Sequence, residues 1–213
     1  MSVHVSPLPS RQVMQGRASG IFVATIFGAF WGLSATVFLS DVVRVSAYVL
    51  IGLVTLAFFG VGTQLLRYSR KLSSTVTREE AVRLKSVRRG FVIVSVAEVV
   101  LIVLAVALLG RSGASHFTLP VIALIVGVHF LPLARLFNVR VYYLTGALLS
   151  LLSLIALVAL LLGLQLAGPS PNNWSLFVSV GAALVLWLTQ FYNSRYSIRL
   201  MRQRAEAVNP GMS

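Results

Sequence analysis

Two residues of this chain could carry proton chemistry in an apolar setting, Glu98 and His129. Glu98 is the eighth residue of an apolar run, Phe91–Gly110. At ~1.5 Å rise per residue it lies ~10 Å inside that run. A carboxylate at such depth in a bilayer costs several kcal/mol unless it is paired, hydrated or protonated, so by default it marks a polar site. The bland alternative is a hydrogen-bonded Glu that serves helix packing alone. His129 stands eight residues before the end of the run Phe117–Phe137, ~12 Å deep on the same rise. The two residues are therefore expected in nearly one layer, where an imidazole and a carboxylate could share a proton near neutral pH. A neutral His129 bonded to a backbone carbonyl or a Ser is the competing expectation.

Other polar side chains fall in the same third of their runs: Thr63 and Gln64, Tyr142, Tyr143 and Thr145, then Thr189, Gln190, Tyr192 and Asn193. The far halves of the runs are more uniformly apolar. This asymmetry predicts a polar pocket open to one side, lined by Glu98, His129, Tyr143, Gln64 and Gln190, with Arg135 as a cationic contact at its mouth. Interhelical hydrogen bonding would explain the same residues without a pocket. Pro132, three residues after His129, frees the carbonyl of Val128 and predicts a kink beside the His layer.

The elements that must position these groups follow from composition. Of 213 residues, 57% are hydrophobic and only 11% charged, against roughly 25% charged in soluble domains. Mean hydropathy is +0.89. An ordinary soluble enzyme, a disordered chain and a soluble nucleic-acid binder are excluded. A helix crossing ~30 Å of hydrocarbon needs ~20 apolar residues. Six stretches meet that length, about 20–39, 47–66, 91–110, 117–137, 141–166 and 174–193. Their continuous apolar character excludes barrel strands. The predicted fold is all-α, a polytopic membrane protein of six transmembrane helices occupying residues 20–194.

Sixteen of the 18 Lys and Arg residues fall on one side of the six spans; only Arg44 and Arg111 fall on the other. By the positive-inside rule both termini are cytoplasmic and the location is the cell (inner) membrane. The net charge of +13 is thereby read as topology, with no nucleic-acid partner. Residues 1–19 read as a tail with Pro7 and Pro9, and 195–213 as a second tail. The basic loop 67–90 would meet anionic headgroups through Arg70, Lys71, Lys85, Arg88 and Arg89. Within it, Thr77-Arg78-Glu79-Glu80 reads as a capping box, and a continuous helix is expected from about Thr77 to Leu109. Gly168-Pro169-Ser170-Pro171-Asn172-Asn173 reads as a rigid turn, with Asn173 positioned to cap the last helix.

The first span carries a small residue at every fourth position, including Gly28-x-x-x-Gly32. Such a ridge suits close helix packing within the protomer, favoured over a homo-oligomer contact. Trp31 beside it reads as packing. The strings Thr63-Gln64…Arg67-Tyr68-Ser69 and Thr189-Gln190…Arg195-Tyr196-Ser197 hint at repeated helical hairpins, as in transporters, although positive-inside statistics alone would place an Arg at each exit. No Cys is present, which removes thiolate sites. No nucleotide loop, zincin motif or nucleophile elbow occurs. His4, His116 and His129 are scattered, so no metal site and no cofactor is expected, and no catalytic motif marks the chain as an enzyme.

The segment Gly127-Val128-His129-Phe130-Leu131-Pro132-Leu133-Ala134-Arg135-Leu136-Phe137, followed by Tyr142-Tyr143-Leu144-Thr145-Gly146, resembles uncharacterised small bacterial multi-pass membrane proteins. These carry a similar His-Phe-x-Pro-Leu-Ala string before a short turn. The resemblance covers about twenty residues. It implies a bacterial inner-membrane protein, brings no activity, and adds weight to His129, Pro132, Arg135 and Tyr143. The functional expectation is a small transporter or permease for a small molecule or ion, with a pocket around Glu98 and His129. The alternative is a non-catalytic scaffold or regulator that binds lipid or a partner protein.

Overall fold

A computed structural model describes residues 11–72, 78–166 and 172–208. They form six helices: α1 (Arg11–Thr36), α2 (Asp41–Arg70), α3 (Arg78–Arg111), α4 (Thr118–Phe137), α5 (Arg140–Leu161) and α6 (Asn172–Val208), with one 3₁₀ turn, Ser115–Phe117, before α4. All six are long and apolar enough to cross a membrane. The chain is an all-α polytopic membrane protein.

Helix ends differ from the sequence expectation at several places, among them α1, which ends at Thr36 rather than about 39, and α2, which spans Asp41–Arg70 rather than about 47–66. Residues 11–19, expected in a tail, are the first turns of α1. They are held because Met14 and Ala18, both fully buried, pack with Leu65 of α2 and against Met201 of α6. Residues 195–208, also expected as tail, continue α6. At 37 residues, α6 is ~55 Å long, well beyond the ~30 Å hydrocarbon thickness. Finally, α5 stops at Leu161 rather than Leu166. Gly163 adopts a left-handed φ of +67°, and Leu164 N–H turns back to Ala159 O at 2.8 Å, which closes the helix. The expected start of α3 at Thr77 and the turn 168–171 lie outside the described residues.

The packing order is α2, α1, α6, α5, α4, α3, each helix against the next, with α6 also touching α2 and α4. α6 is thus central, and α3 is held chiefly by α4. Lipid supplies no hydrophobic drive between helices, so close backbone approach and hydrogen bonds must hold them together. Both devices are present. A Cβ on Gly28 would lie 2.7 Å from the Trp187 indole of α6, and one on Gly32 would lie 3.0 Å from Ile51. The α1 ridge therefore receives side chains of its own protomer. Between α4 and α5 the approach is backbone to backbone: a Cβ on Gly146 would lie 2.7 Å from the carbonyl oxygen of Gly127. Trp31, fully buried, joins the core formed with Leu149, Val178, Ala182 and Leu186.

The connections are tied as well. Arg44, in the first turn of α2, donates from Nε to Thr36 O at 3.0 Å and from Nη2 to Leu39 O at 2.8 Å. It thereby ties the Thr36 carbonyl, at the end of α1, and the Leu39 carbonyl, in the turn that follows, to α2. Asp41 pairs with the same guanidinium at 3.1 Å. Asn138 turns α4 into α5 with φ of 54°, a left-handed conformation that Asn tolerates. Asn173 lies within the first turn of α6, and its amide donates to Leu166 O at 2.7 Å. Trp174 Nε1 donates to Leu164 O at 2.9 Å. The start of α6 is thus pinned to the chain leaving α5.

Candidate functional site

Glu98 faces α4 because it stands on the one side of α3 that has a neighbouring helix. Val96, Val99, Val100 and Val103 around it are all exposed on the outer surface of the bundle. Glu98 itself is 7% exposed. His129 reaches it from α4, with Nδ1 to Oε2 at 3.4 Å. The contact has ion-pair range without the alignment of a hydrogen bond, and Nδ1 has no other hydrogen-bond partner. The imidazole also lies beside the backbone of Val94, one turn before Glu98. α4 runs as helix through Pro132 to Phe137, so the His129 layer stays in register with α3.

The pair connects to a ladder of rings. His129 meets Phe130 edge-on with centroids 6.3 Å apart, and Phe130 meets Tyr142 of α5 at 5.6 Å. Tyr142 in turn lies near the side chain of Asn193 on α6.

No known protein family, curated protein or solved structure matches this chain. The six-helix membrane architecture therefore stands on the fold, and the His-Phe-x-Pro-Leu-Ala resemblance acquires no family from these comparisons.

The residues grouped as one pocket from the sequence are not brought together. Glu98 and His129 touch. Gln190, 1% exposed, lies instead between α6 and α1, donating to Ile21 O and standing 3.4 Å from Thr25 Oγ1. Thr145 and Thr189 close the α5–α6 interface through a 2.7 Å hydroxyl contact. Gln64, Arg135 and Tyr143 are exposed on the bundle surface. The physical reason is angular: residues at one depth point around the full circumference of each helix, and only those on packed faces can meet. Pro132 is exposed on α4, and Arg70, Lys71, Lys85, Arg88 and Arg89 are all exposed at the basic end.

Sequence reading missed the pairing of Thr145 with Thr189 and of Gln190 with α1. It also missed the Gly127–Gly146 crossing, although Ala123-x-x-x-Gly127 and Gly146-x-x-x-Ser150 carry the small-residue spacing that signals one. Among the described residues, no group of three or more His, Asp or Glu could hold a metal ion. The chemistry this arrangement supports is proton binding at an acid–imidazole pair.

Proposed function

We propose that this protein is a small proton-linked permease of the bacterial inner membrane, with its arginine-rich end in the cytoplasm and Glu98–His129 as the titrating site. The observation that carries the reading is the 3.4 Å contact between two ionisable side chains buried at a helix interface. With one proton between them the pair is neutral overall, whether the proton is on Oε or on the imidazole. A second proton makes it cationic, and loss of the proton makes it anionic. A net charge at this depth is costly, so each change biases the α3–α4 interface. α3 has α4 as its main neighbour, which makes α3 the element most free to respond. The solute is a small molecule or ion taken from the cytoplasmic side or delivered to it.

The test is solid-supported membrane electrophysiology on proteoliposomes, with a panel of small solutes presented under opposed pH gradients. The expected result is a solute-evoked current that changes with the direction of the proton gradient in wild type. Glu98→Gln loses that current while the protein remains folded and inserted. Full pH-dependent current in both Glu98→Gln and His129→Ala would sink the reading.

A scaffold or regulatory role is the second reading. It is favoured by the way Thr145–Thr189, Gln190–Ile21 and Glu98–His129 each close a separate interface. Stoichiometric copurification of a partner protein, with no solute-evoked current, would favour it.

A further inference from the structure

The basic ends of α1, α5 and α6 converge on Arg17, and this cluster lies apart from the Glu98–His129 pair. Arg17 stacks its guanidinium over the ring of Tyr196, 4.7 Å from the centroid. Its Nε is buried yet has no hydrogen-bond partner among the described residues. Tyr142 brings its hydroxyl over α1 one turn further on, 3.9 Å from where a Cβ on Gly20 would stand. That hydroxyl lies near the Asn193 side chain and within electrostatic reach of Arg17.

A buried donor on a permanently charged group is costly to leave unpaired. Among the described side chains, no carboxylate meets this need. Asp41 is at the opposite end of the bundle, on Arg44. Glu98 is taken by His129. Glu206 is ten residues beyond Tyr196 on α6, ~15 Å along the axis. An acceptor from outside the chain would satisfy this donor. Arg17 offers a planar fork suited to oxyanions, Tyr142 offers a hydroxyl, and Arg195 and Arg199, both exposed beside Tyr196, add positive potential. The level is that of a headgroup, because Tyr142 is the third residue of α5 and Asn193 ends the last apolar run.

We propose that Arg17, Tyr142, Asn193 and Tyr196 form a binding site for a phosphate group, either that of an anionic lipid headgroup or that of a phosphate free in solution. The site goes beyond the proton pair and holds whether or not that pair moves protons.

The test uses the full chain in nanodiscs, read by its thermal unfolding midpoint. In one arm the discs are neutral phosphatidylcholine and inorganic phosphate is titrated in. In the other, phosphate is absent and the fraction of phosphatidylglycerol is raised. The expected result is a saturable rise in the midpoint in at least one arm, and the responding arm identifies the source. Arg17→Gln abolishes it, Tyr142→Phe weakens it, and Arg202→Gln, an exposed arginine further along α6, leaves it intact. Should Arg17→Gln not fold, Arg17→Lys decides. It keeps the charge but loses the paired geometry, and the midpoint concentration is expected to rise about fivefold or more. No saturable response in either arm, an unchanged response in Arg17→Lys, or equal loss in Arg202→Gln would overturn the proposal.

Discussion

Glu98 on α3 and His129 on α4 meet at 3.4 Å in an interface that buries both side chains to below a tenth of their surface. This contact is a buried polar tie on a helix whose other faces are largely exposed. Removing one partner leaves the other buried without its contact, at a cost of about 1–3 kcal/mol. His129→Ala is therefore expected to loosen α3, read as faster proteolysis or hydrogen exchange at 91–104 than at α6. A double-mutant cycle with Glu98→Gln should show coupling above about 0.5 kcal/mol. Additive effects would mean that the contact holds nothing.

Gly28 and Trp187 form a second tie, between α1 and the central helix. A Cβ at Gly28 would stand 2.7 Å from the indole, so Gly28→Ala forces the ring to shift. The expected loss is about 1–3 kcal/mol, measured by unfolding in mild detergent with added denaturant. Trp187→Phe in the same chain should recover part of that loss, because the smaller ring withdraws from the Gly28 position. A Gly28→Ala protein as stable as wild type would contradict the packing.

Gly127 and Gly60 make a matched comparison. At Gly127 an added Cβ meets the Ser150 backbone nitrogen at 2.7 Å, whereas at Gly60 it meets nothing within 4 Å. Backbone yields less readily than a side chain. Gly127→Ala should destabilise by about 1–3 kcal/mol through forced separation of α4 and α5. Gly60→Ala should be neutral or stabilising by about 0.5–1 kcal/mol, since it removes only chain entropy in a helix interior. Thermal midpoints of the two variants should fall on opposite sides of wild type or differ clearly in that order.

Arg44 is expected to matter for its hydrogen bonds to Thr36 and Leu39 rather than for its charge pair. Asp41 is 93% exposed, and a pair of that kind contributes about 0–1 kcal/mol. Asp41→Asn should therefore change the unfolding midpoint little. Arg44→Ala, which removes both carbonyl bonds, should cost about 1–2 kcal/mol. Equal effects from the two variants would show that the ion pair, not the carbonyl bonds, is what counts.

The order of residues is enough to specify the six spans and the common depth of Glu98 and His129. Hydrophobic run length and rise per residue set those quantities without reference to neighbours. It also marked Gly28 and Gly32 as a place of close approach, because the absence of a side chain is legible at any position. Which residues at one depth meet is set by helix packing. Depth is a coordinate along a helix axis, whereas contact depends on rotation about that axis and on the order in which helices pack. That is why Gln190 joined α1, Gln64 and Tyr143 were left on the surface, and Arg17 came to rest on Tyr196. The helical ends at 11–19 and 195–208 depended on the same cause, since Met14, Leu65 and Met201 come together only once α1, α2 and α6 are assembled.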